Sequence, residues 1–281
     1  MGIQDKRWYA SLSTAKDELG IASATTTHDA KLKRYIERAS AWVESYCHRW
    51  FIPVTETRRY DFQESYNLWL DADLLAVTTL TNGDGAILVD GTDFYKYPLN
   101  DPPYTQLEIV AGTSKYFTYQ TTKQRAISLL GRWGYSENYE DTGTTLGAAI
   151  ASTTATTFTS SSGAALEVGW CLLIDSEQLW IKSISSNTIT VQRGNNGTTA
   201  ATHANGATVY RYVPEPAVEE AVVMLASTWY NLRDAGGVKS KQIGDFEVAY
   251  GGGDAGYPVP DAVRAMLDGL VMLDFAVGVA A

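Results

Sequence analysis

The stretch RYVPEPAVEEAVVMLASTWYNLRDAGG, residues 211–237, is typical of one long amphipathic helix. Pro214 and Pro216 suit a first helical turn, where a missing N–H costs nothing, and Gly236 and Gly237 provide a stop. Three glutamates place negative charge at the positive end of the helix dipole. Apolar side chains recur at three- and four-residue steps along one face: Val218, Ala221, Val222, Leu225, Trp229 and Leu232. This face is wider than one helix can cover by itself, so the sequence predicts a packed partner.

The segment HDAKLKRYIERASAWVESYCHRWF, residues 28–51, is the natural partner. It has a similar length, its apolar side chains fall on one face, and it too carries a tryptophan near its C-terminal end. We expect the two long helices to pack against each other as a helical core. The side chains predicted to fill the contact are Leu32, Ile36, Val43, Tyr46, Trp50, Val222, Leu225 and Trp229.

The remaining elements predict an α+β fold around this core. TAKDELG (14–20) and VPDAVRAMLDGLVMLDF (259–275) are expected to form short N- and C-terminal helices. From Pro53 the period changes, and VTETRRYDF, TDFYKYPL and AISLLGRWGY predict the strands of a small antiparallel β region. VKSKQIGDFEVAY (238–250) is a further strand candidate.

Residues 144–212 differ in composition from the rest of the chain. They hold 21 serines and threonines among 69 residues and carry three basic and three acidic side chains. WCLLID, EQLWIKSI, NTITVQ and ATVYRY are typical of short strands separated by turns. We therefore expect an all-β module at 144–212, inserted into a host domain formed by residues 1–143 and 213–281.

Charge and cysteine content exclude several classes of function. The net charge of −10 argues against wrapping DNA or adhering to an anionic membrane. The 45% hydrophobic content is enough for a real core. Cys47 and Cys171 are expected to be buried free thiols. The sequence shows neither a signal peptide nor an apolar run of membrane-spanning length, which predicts a soluble protein made in a cytoplasm.

No arrangement of residues points to catalysis, a metal or a cofactor. His28, His48 and His203 are far apart and lack metal-ligand spacing. An enzyme that uses scattered aspartates such as Asp71 and Asp73 is the alternative with least support, because no motif pairs its carboxylates. The sequence therefore predicts a non-enzymatic protein without cofactor or metal.

The C-terminal segment is an apolar tail that follows an amphipathic helix, and such a tail gives a soluble monomer no advantage. Leu270, Leu273, Phe275, Val277 and Val279 follow or end the last amphipathic helix. From the residues alone, this tail either frays in solvent or docks on a partner protein.

Two stretches resemble the head–tail connector (adaptor) proteins of tailed bacteriophages. They are LKRYIERASAWVESYCHRWF followed by a strand, and PEPAVEEAVVMLASTWYNLRDAGGVKSKQIGDFEVAY. In that family a long helix with an aromatic-rich end precedes a β excursion. A second helix ending Trp-Tyr-x-x-Arg follows, and then a Gly-rich turn, an Ile-Gly-Asp strand and a last helix. The resemblance covers about residues 12–62 and 213–272.

The resemblance implies a structural virion protein at the head–tail interface, made in the cytoplasm of a host bacterium. Such proteins form a ring, dodecameric in the family, beneath the portal protein, and offer a surface to a stopper or tail terminator protein. DNA transits the channel of the ring without specific binding, and no membrane is involved. The C-terminal tail would then dock on the portal or a neighbouring copy, and Lys239 and Lys241 are candidates to face the channel, although solvated surface lysines are commoner.

The β module departs from the short members of this family. RGNNGTTAATHANGATV (193–209) resembles small β modules of phage tail and baseplate proteins. The alternative function is accordingly a tail- or baseplate-associated module that binds protein or carbohydrate. Trp170 and Trp180 would be its sugar-stacking candidates, although tryptophans in strands are more commonly part of a core.

Overall fold

The computed structural model describes residues 6–232, 240–243, 246–249 and 258–272. Four α-helices lie in these ranges: α1 (Leu12–Glu18), α2 (Asp29–Cys47), α3 (Pro216–Asn231) and α4 (Asp261–Leu267). The Ser11 hydroxyl caps α1 by accepting a 3.1 Å hydrogen bond from the Thr14 N–H. Within these ranges, none of the helices is both long enough and apolar enough to cross a bilayer.

Six antiparallel strands between residues 54 and 133 form the first sheet. They are β1 (Val54–Tyr60), β2 (Asn67–Thr81), β3 (Ile87–Leu88), β4 (Phe94–Tyr97), β5 (Tyr104–Ile109) and β6 (Ile127–Trp133). The spatial order is β1-β6-β2-β5-β4, and β3 pairs with the far end of β2. Because β2 is 15 residues long, it joins β6 along its second half and β5 along its first half.

A second six-stranded antiparallel sheet follows directly. Its strands are β7 (Tyr139–Thr145), β8 (Thr157–Thr159), β9 (Cys171–Ile174), β10 (Glu177–Ser185), β11 (Thr188–Gln192) and β12 (Thr208–Tyr212). Their order is β7-β12-β9-β10-β11-β8. The edge strand β7 begins at Tyr139, five residues before the expected module boundary, and the division into a host domain and an inserted module stays a prediction. A short hairpin, β13 (Ser240–Ile243) and β14 (Phe246–Ala249), lies where one strand was expected.

The predicted fold class, an α+β fold built on a core of two long packed helices, is wrong. In the described ranges the protein is mostly β, with two six-stranded sheets and four helices. The longest strand, β2, has no counterpart in the sequence prediction. Its register shifts between Trp69 and Leu74, and twice more between Leu74 and Thr79, so its apolar residues do not alternate regularly. The apolar residues of the two long helices recur regularly, whereas the bulges of β2 obscure its strand pattern, so the sequence favours the helices over the sheets.

Three buried clusters hold the molecule together. One lies between the helices and also takes in Trp180 and Tyr212 from the second sheet. The other two lie on the first and second sheets. The helices thus form one layer of the protein, and the second sheet packs into that layer through Trp180, whose ring meets Trp8 edge-on at a centroid distance of 5.2 Å.

Candidate interaction surfaces

The two long helices lie side by side and run antiparallel. His28, the N-cap residue of α2, and Tyr35, in the first half of α2, meet the Tyr230 ring edge-on at 5.7 and 6.4 Å. Leu32, Ile36 and Val43 of α2 and Val222, Leu225 and Trp229 of α3 are buried together in the helical cluster. Tyr46 packs on the same cluster and donates a 2.5 Å hydrogen bond to Asp268, whereas Trp50 packs on the cluster of the first sheet.

Much of the predicted C-terminal docking segment lies outside the described residues. Leu270 is half-buried and packs on the helical cluster, and the Met272 N–H donates a 2.8 Å hydrogen bond to the Cys47 carbonyl. Leu273, Phe275, Val277 and Val279 lie outside the described ranges. So does Lys239, while Lys241 belongs to β13 without a described side chain. Docking of the tail stays a prediction.

Exposed aromatic side chains gather on the outer face of the first sheet. β5 is central there: Gln106 lies opposite Trp69 and Tyr97, and Glu108 lies opposite Tyr95. Trp69 is 56% exposed and Tyr95 is 44% exposed. Large exposed aromatic side chains on one face of a sheet are candidates for contact with another protein. Sequence reasoning missed it, because alternation predicts that the two faces of a strand differ but does not predict which face is covered.

The outward face of α2 is cationic. Lys31, Arg34 and Arg38 are exposed at three- and four-residue steps, and with Tyr35 and Ala41 they line an open cleft of about 500 Å³. The Arg38 guanidinium also lies 5.5 Å from the centre of the Trp229 ring. This face gives an acidic protein a local excess of positive charge.

Carboxylates gather at the opposite end of the helix pair, around the first turn of α3. Burial raises the pKa of the half-buried Glu219; Arg211 lowers it, and the negative charges of Glu167, Glu220 and Glu140 raise it further. Arg211 is already engaged by Glu140, with its Nε 2.5 Å from a carboxylate oxygen. The cluster Glu140, Glu167, Glu219 and Glu220 is therefore an acidic surface.

A second cleft, of about 310 Å³, lies between the end of α2 and β2 and contains Asp71 and Asp73. Asp73 is buried, with its Oδ2 3.1 Å from the Arg49 Nε. Burial raises the pKa of Asp73, although Arg49 lowers it in part. Asp71 lies 2.9 Å from an Arg58 nitrogen and accepts a hydrogen bond from Tyr60. Burial would raise the pKa of Asp71, but these two donors lower it overall. Each carboxylate thus has its own arginine, as in a pair of structural salt bridges.

A buried polar network stands at one end of the second sheet. Glu177 is fully buried and pairs with the Arg193 guanidinium at 2.6 Å and with the His203 Nε2 at 2.8 Å. Burial alone would raise the pKa of Glu177, but hydrogen bonds from Arg193, the Ala201 N–H, His203 and the Gly194 N–H lower it. The His203 Nδ1 lies 2.7 Å from Asp175. His203 thus belongs to a buried structural network.

The same end of the second sheet is fastened to the N-terminal segment, a contact that we call the latch. The Asn195 side chain accepts a 3.0 Å hydrogen bond from the Lys6 N–H and donates a 2.8 Å bond to the Lys6 carbonyl. Asn196 accepts from the Arg7 guanidinium at 3.0 Å. Gln178 donates a 2.9 Å bond to the Pro53 carbonyl just before β1. The conspicuous Arg-Gly-Asn-Asn-Gly motif therefore joins the second sheet to the rest of the protein.

The two tryptophans proposed to stack on sugars are used in packing. Trp180 is 9% exposed and lies against Trp8. Trp170 is half-buried, with the Arg211 guanidinium 4.1 Å from the centre of its ring. Trp180 is therefore too buried to stack on a sugar, and Arg211 covers one face of the Trp170 ring. Within the described ranges, no group of three or more metal-ligating side chains is placed to hold a metal ion.

Comparison with known proteins now identifies the family resemblance. Residues 9–78 match the family model described as "Phage gp6-like head-tail connector protein". No protein of curated function matches the chain. The match confirms the resemblance to phage head–tail connectors predicted from the sequence, and it supports a structural role as a virion component.

The chain is also similar to a solved chain described as "Neck of empty GTA particle computed with C6 symmetry". The alignment covers 99% of each chain, with 14% sequence identity and a TM-score of 0.36. A TM-score of 0.36 is too low to establish a common fold.

Proposed function

We propose that this chain is a head–tail connector that assembles as a ring, dodecameric as in the connectors it resembles, at the portal vertex of a phage particle. One face of the ring meets the portal protein, and the other meets a stopper or tail terminator protein. The observation that carries this proposal is the family match over residues 9–78, a range that contains α1, α2, β1 and most of β2.

The charge of the chain supports a role as a conduit for DNA. A net charge of −10 disfavours tight binding of phosphates, so DNA can pass through the ring without being held. Lys239 and Lys241 are our candidates for residues that face the channel. They could contact phosphates weakly without stopping the passage of DNA.

The apolar C-terminal tail fits the same role. α4 packs on the helical cluster through Val263 and Leu267, and Leu270 continues that contact. We assign Leu273, Phe275, Val277 and Val279, which follow, to docking on the portal or on a neighbouring copy. The protein would be made in the bacterial cytoplasm and retained in the finished virion.

Ring formation is tested with the full chain and the portal protein of the same particle. Native mass spectrometry and negative-stain imaging should show rings when the two proteins are mixed, whether or not the chain is monomeric by itself. A chain that stays monomeric in both states and does not bind the portal would overturn the proposal.

The tail assignment is tested with the quadruple serine variant of Leu273, Phe275, Val277 and Val279. The variant should keep the thermal unfolding midpoint of the wild type and lose most of its binding to the portal. The matched control places serine at the exposed apolar positions Ile87 and Val89, far from the tail in sequence. Equal loss of portal binding in both variants would contradict a specific role for the tail.

A further inference from the structure

The cationic face of α2 is not neutralised by the carboxylates of its own helix. Glu37, in the same cleft, forms an ion pair with Lys6. Asp29, at the start of the helix, lies 2.6 Å from Lys16. Each acidic residue on this half of α2 is thus matched by a further lysine, and the excess positive charge at Lys31 and Arg34 remains.

The acidic cluster Glu140, Glu167, Glu219 and Glu220 has the opposite imbalance. Arg211, whose positive charge lowers the pKa of Glu219, is already engaged by Glu140. Glu220 is exposed, and within the described ranges it forms no ion pair. The mutual repulsion of these carboxylates is relieved when a positive surface is brought against them.

The two charged surfaces cannot neutralise each other within one copy. The last turn of α3 lies beside the first half of α2, as the contacts of Tyr230 with His28 and Tyr35 show. Glu220 is ten residues before Tyr230, which along a helix is about 15 Å. That separation exceeds the screening length of about 8 Å at physiological ionic strength. Among the described residues, each surface therefore keeps charge that a partner can match.

We propose that the cationic face of α2 in one copy binds the acidic cluster at the start of α3 in the next copy. This inference rests on the proposed ring. Each copy contributes two different surfaces, which makes the contact heterologous, and heterologous contacts are the kind that close into rings. Complementary charges would also fix the register of neighbouring copies and discourage wrong pairings.

A second copy fits the cationic face better than DNA does. The matching negative surface is present on the chain itself, and a ring places it beside every copy. DNA-binding surfaces rely on many phosphate contacts and on a basic protein, whereas this chain carries a net charge of −10. Contact of the α2 face with DNA is retained as an outcome of the test.

The test uses two charge-reversal variants of the full chain, each mixed with the portal protein. The first is Lys31→Glu with Arg34→Glu, which leaves Arg38 in place on Trp229. The second is Glu219→Lys with Glu220→Lys. Each should reduce the yield of rings by about tenfold or more, because like charges then face each other in every contact. The matched control reverses the exposed lysines Lys115 and Lys182, and it should form rings as the wild type does.

The decisive experiment mixes the two variants and asks whether ring formation is restored. In an alternating ring every contact again joins a positive to a negative surface, so the 1:1 mixture should regain rings that contain equal amounts of both chains. Native mass spectrometry reads the composition, and circular dichroism melts of each free variant report whether it is folded. Raising the salt concentration should weaken wild-type rings.

The outcomes separate this inference from the proposed function. Wild-type rings together with unimpaired rings of both variants would overturn the charge contact and leave the connector role standing. A wild-type chain that forms no ring with the portal would overturn the connector role itself. If the Lys31/Arg34 variant alone loses rings, is not restored by mixing and has lost retention on a DNA column, the face contacts DNA and the inference is wrong.

Discussion

The two sheets of this protein use their polar and aromatic side chains in opposite ways. The first sheet and its loops turn large apolar groups outward, among them Tyr66, Trp69, Tyr95 and Leu99. The second sheet exposes one such side chain, Tyr139, in the described ranges, and it buries Glu177, Gln178 and Asn195. The first sheet exposes apolar side chains to solvent, whereas the second sheet uses its polar side chains for hydrogen bonds inside the protein.

This difference separates two tasks that an assembly protein must perform. Exposed aromatic groups add little to the stability of the isolated chain and are available for contacts with other proteins. Buried hydrogen-bonded groups are costly to disturb, so they fix how one part of the chain sits on another. The comparison predicts that substitutions in the second sheet act on folding, while those on the outer face of the first sheet do not.

The largest effect is expected for Glu177→Ala. Its removal leaves Arg193 buried with its positive charge unmatched, and breaking a buried pair costs about 3–5 kcal/mol. Urea unfolding followed by tryptophan fluorescence measures the loss. The control is Glu140→Ala, which removes an exposed partner of Arg211 and should cost less than about 1 kcal/mol. Equal values for the two variants would erase the contrast between buried and exposed pairs.

Loss of the latch should lower the free energy of unfolding by less than loss of Glu177, and it should loosen only the N-terminal segment. Asn195→Ala removes both hydrogen bonds to the Lys6 backbone, and we expect a cost of about 1–3 kcal/mol. Hydrogen exchange measured by mass spectrometry should show faster exchange in the N-terminal peptide that contains Lys6.

The matched control for the latch is Asn187→Ala. Asn187 accepts a 2.9 Å hydrogen bond from the Gly163 N–H, and that bond joins two turns of the second sheet without reaching the N-terminus. Exchange at Lys6 should therefore stay at the wild-type rate. Unchanged protection of Lys6 in the Asn195 variant would show that the latch does not hold the segment.

A smaller effect is expected from pH. Because the folded protein lowers the pKa of Glu177, its carboxylate stabilises the fold above the unfolded value of 4.5. That contribution is lost as the pH falls through the lower value of the folded state. The difference in unfolding free energy between the wild type and Glu177→Gln should be constant near pH 7 and shrink below pH 4.5. A difference that grows on acidification would contradict the assigned direction.

The smallest effect is expected for Trp69→Ala on the exposed face of the first sheet. With more than half of the side chain in solvent, the unfolding free energy should change by less than about 0.5 kcal/mol. Trp133→Ala in the same sheet removes a fully buried ring and should cost about 3–5 kcal/mol. Thermal denaturation of the two variants side by side measures the contrast, and a large loss for Trp69 would show that its ring belongs to the core.

The sequence predicted the elements whose signals are local. The apolar steps from Val218 to Trp229 identified α3, and the short strand patterns within residues 144–212 indicated strands of the second sheet. The predominance of strands over helices could not be predicted from such local signals. The bulges of β2 interrupt the alternation that would have identified the longest strand.

The surfaces were harder to predict than the elements. The acidic cluster joins residues from β7, the loop before β9 and α3, and periodicity within one segment cannot show that they meet. The latch joins Lys6 to Asn195 across 189 positions of the chain. The Arg-Gly-Asn-Asn-Gly motif at 193–197 is recognisable in the sequence, but the sequence does not show which residues it contacts.

The latch also sets an order of events during synthesis. Lys6 leaves the ribosome early, yet its partner Asn195 follows 189 residues later. At translation rates of about 5–20 residues per second, the contact between Lys6 and Asn195 cannot form until roughly 10–40 s after Lys6 is made. During that time Lys6 can pair with Glu37 of α2 but not with the second sheet, and a chain that is cut short before Asn195 cannot close the latch.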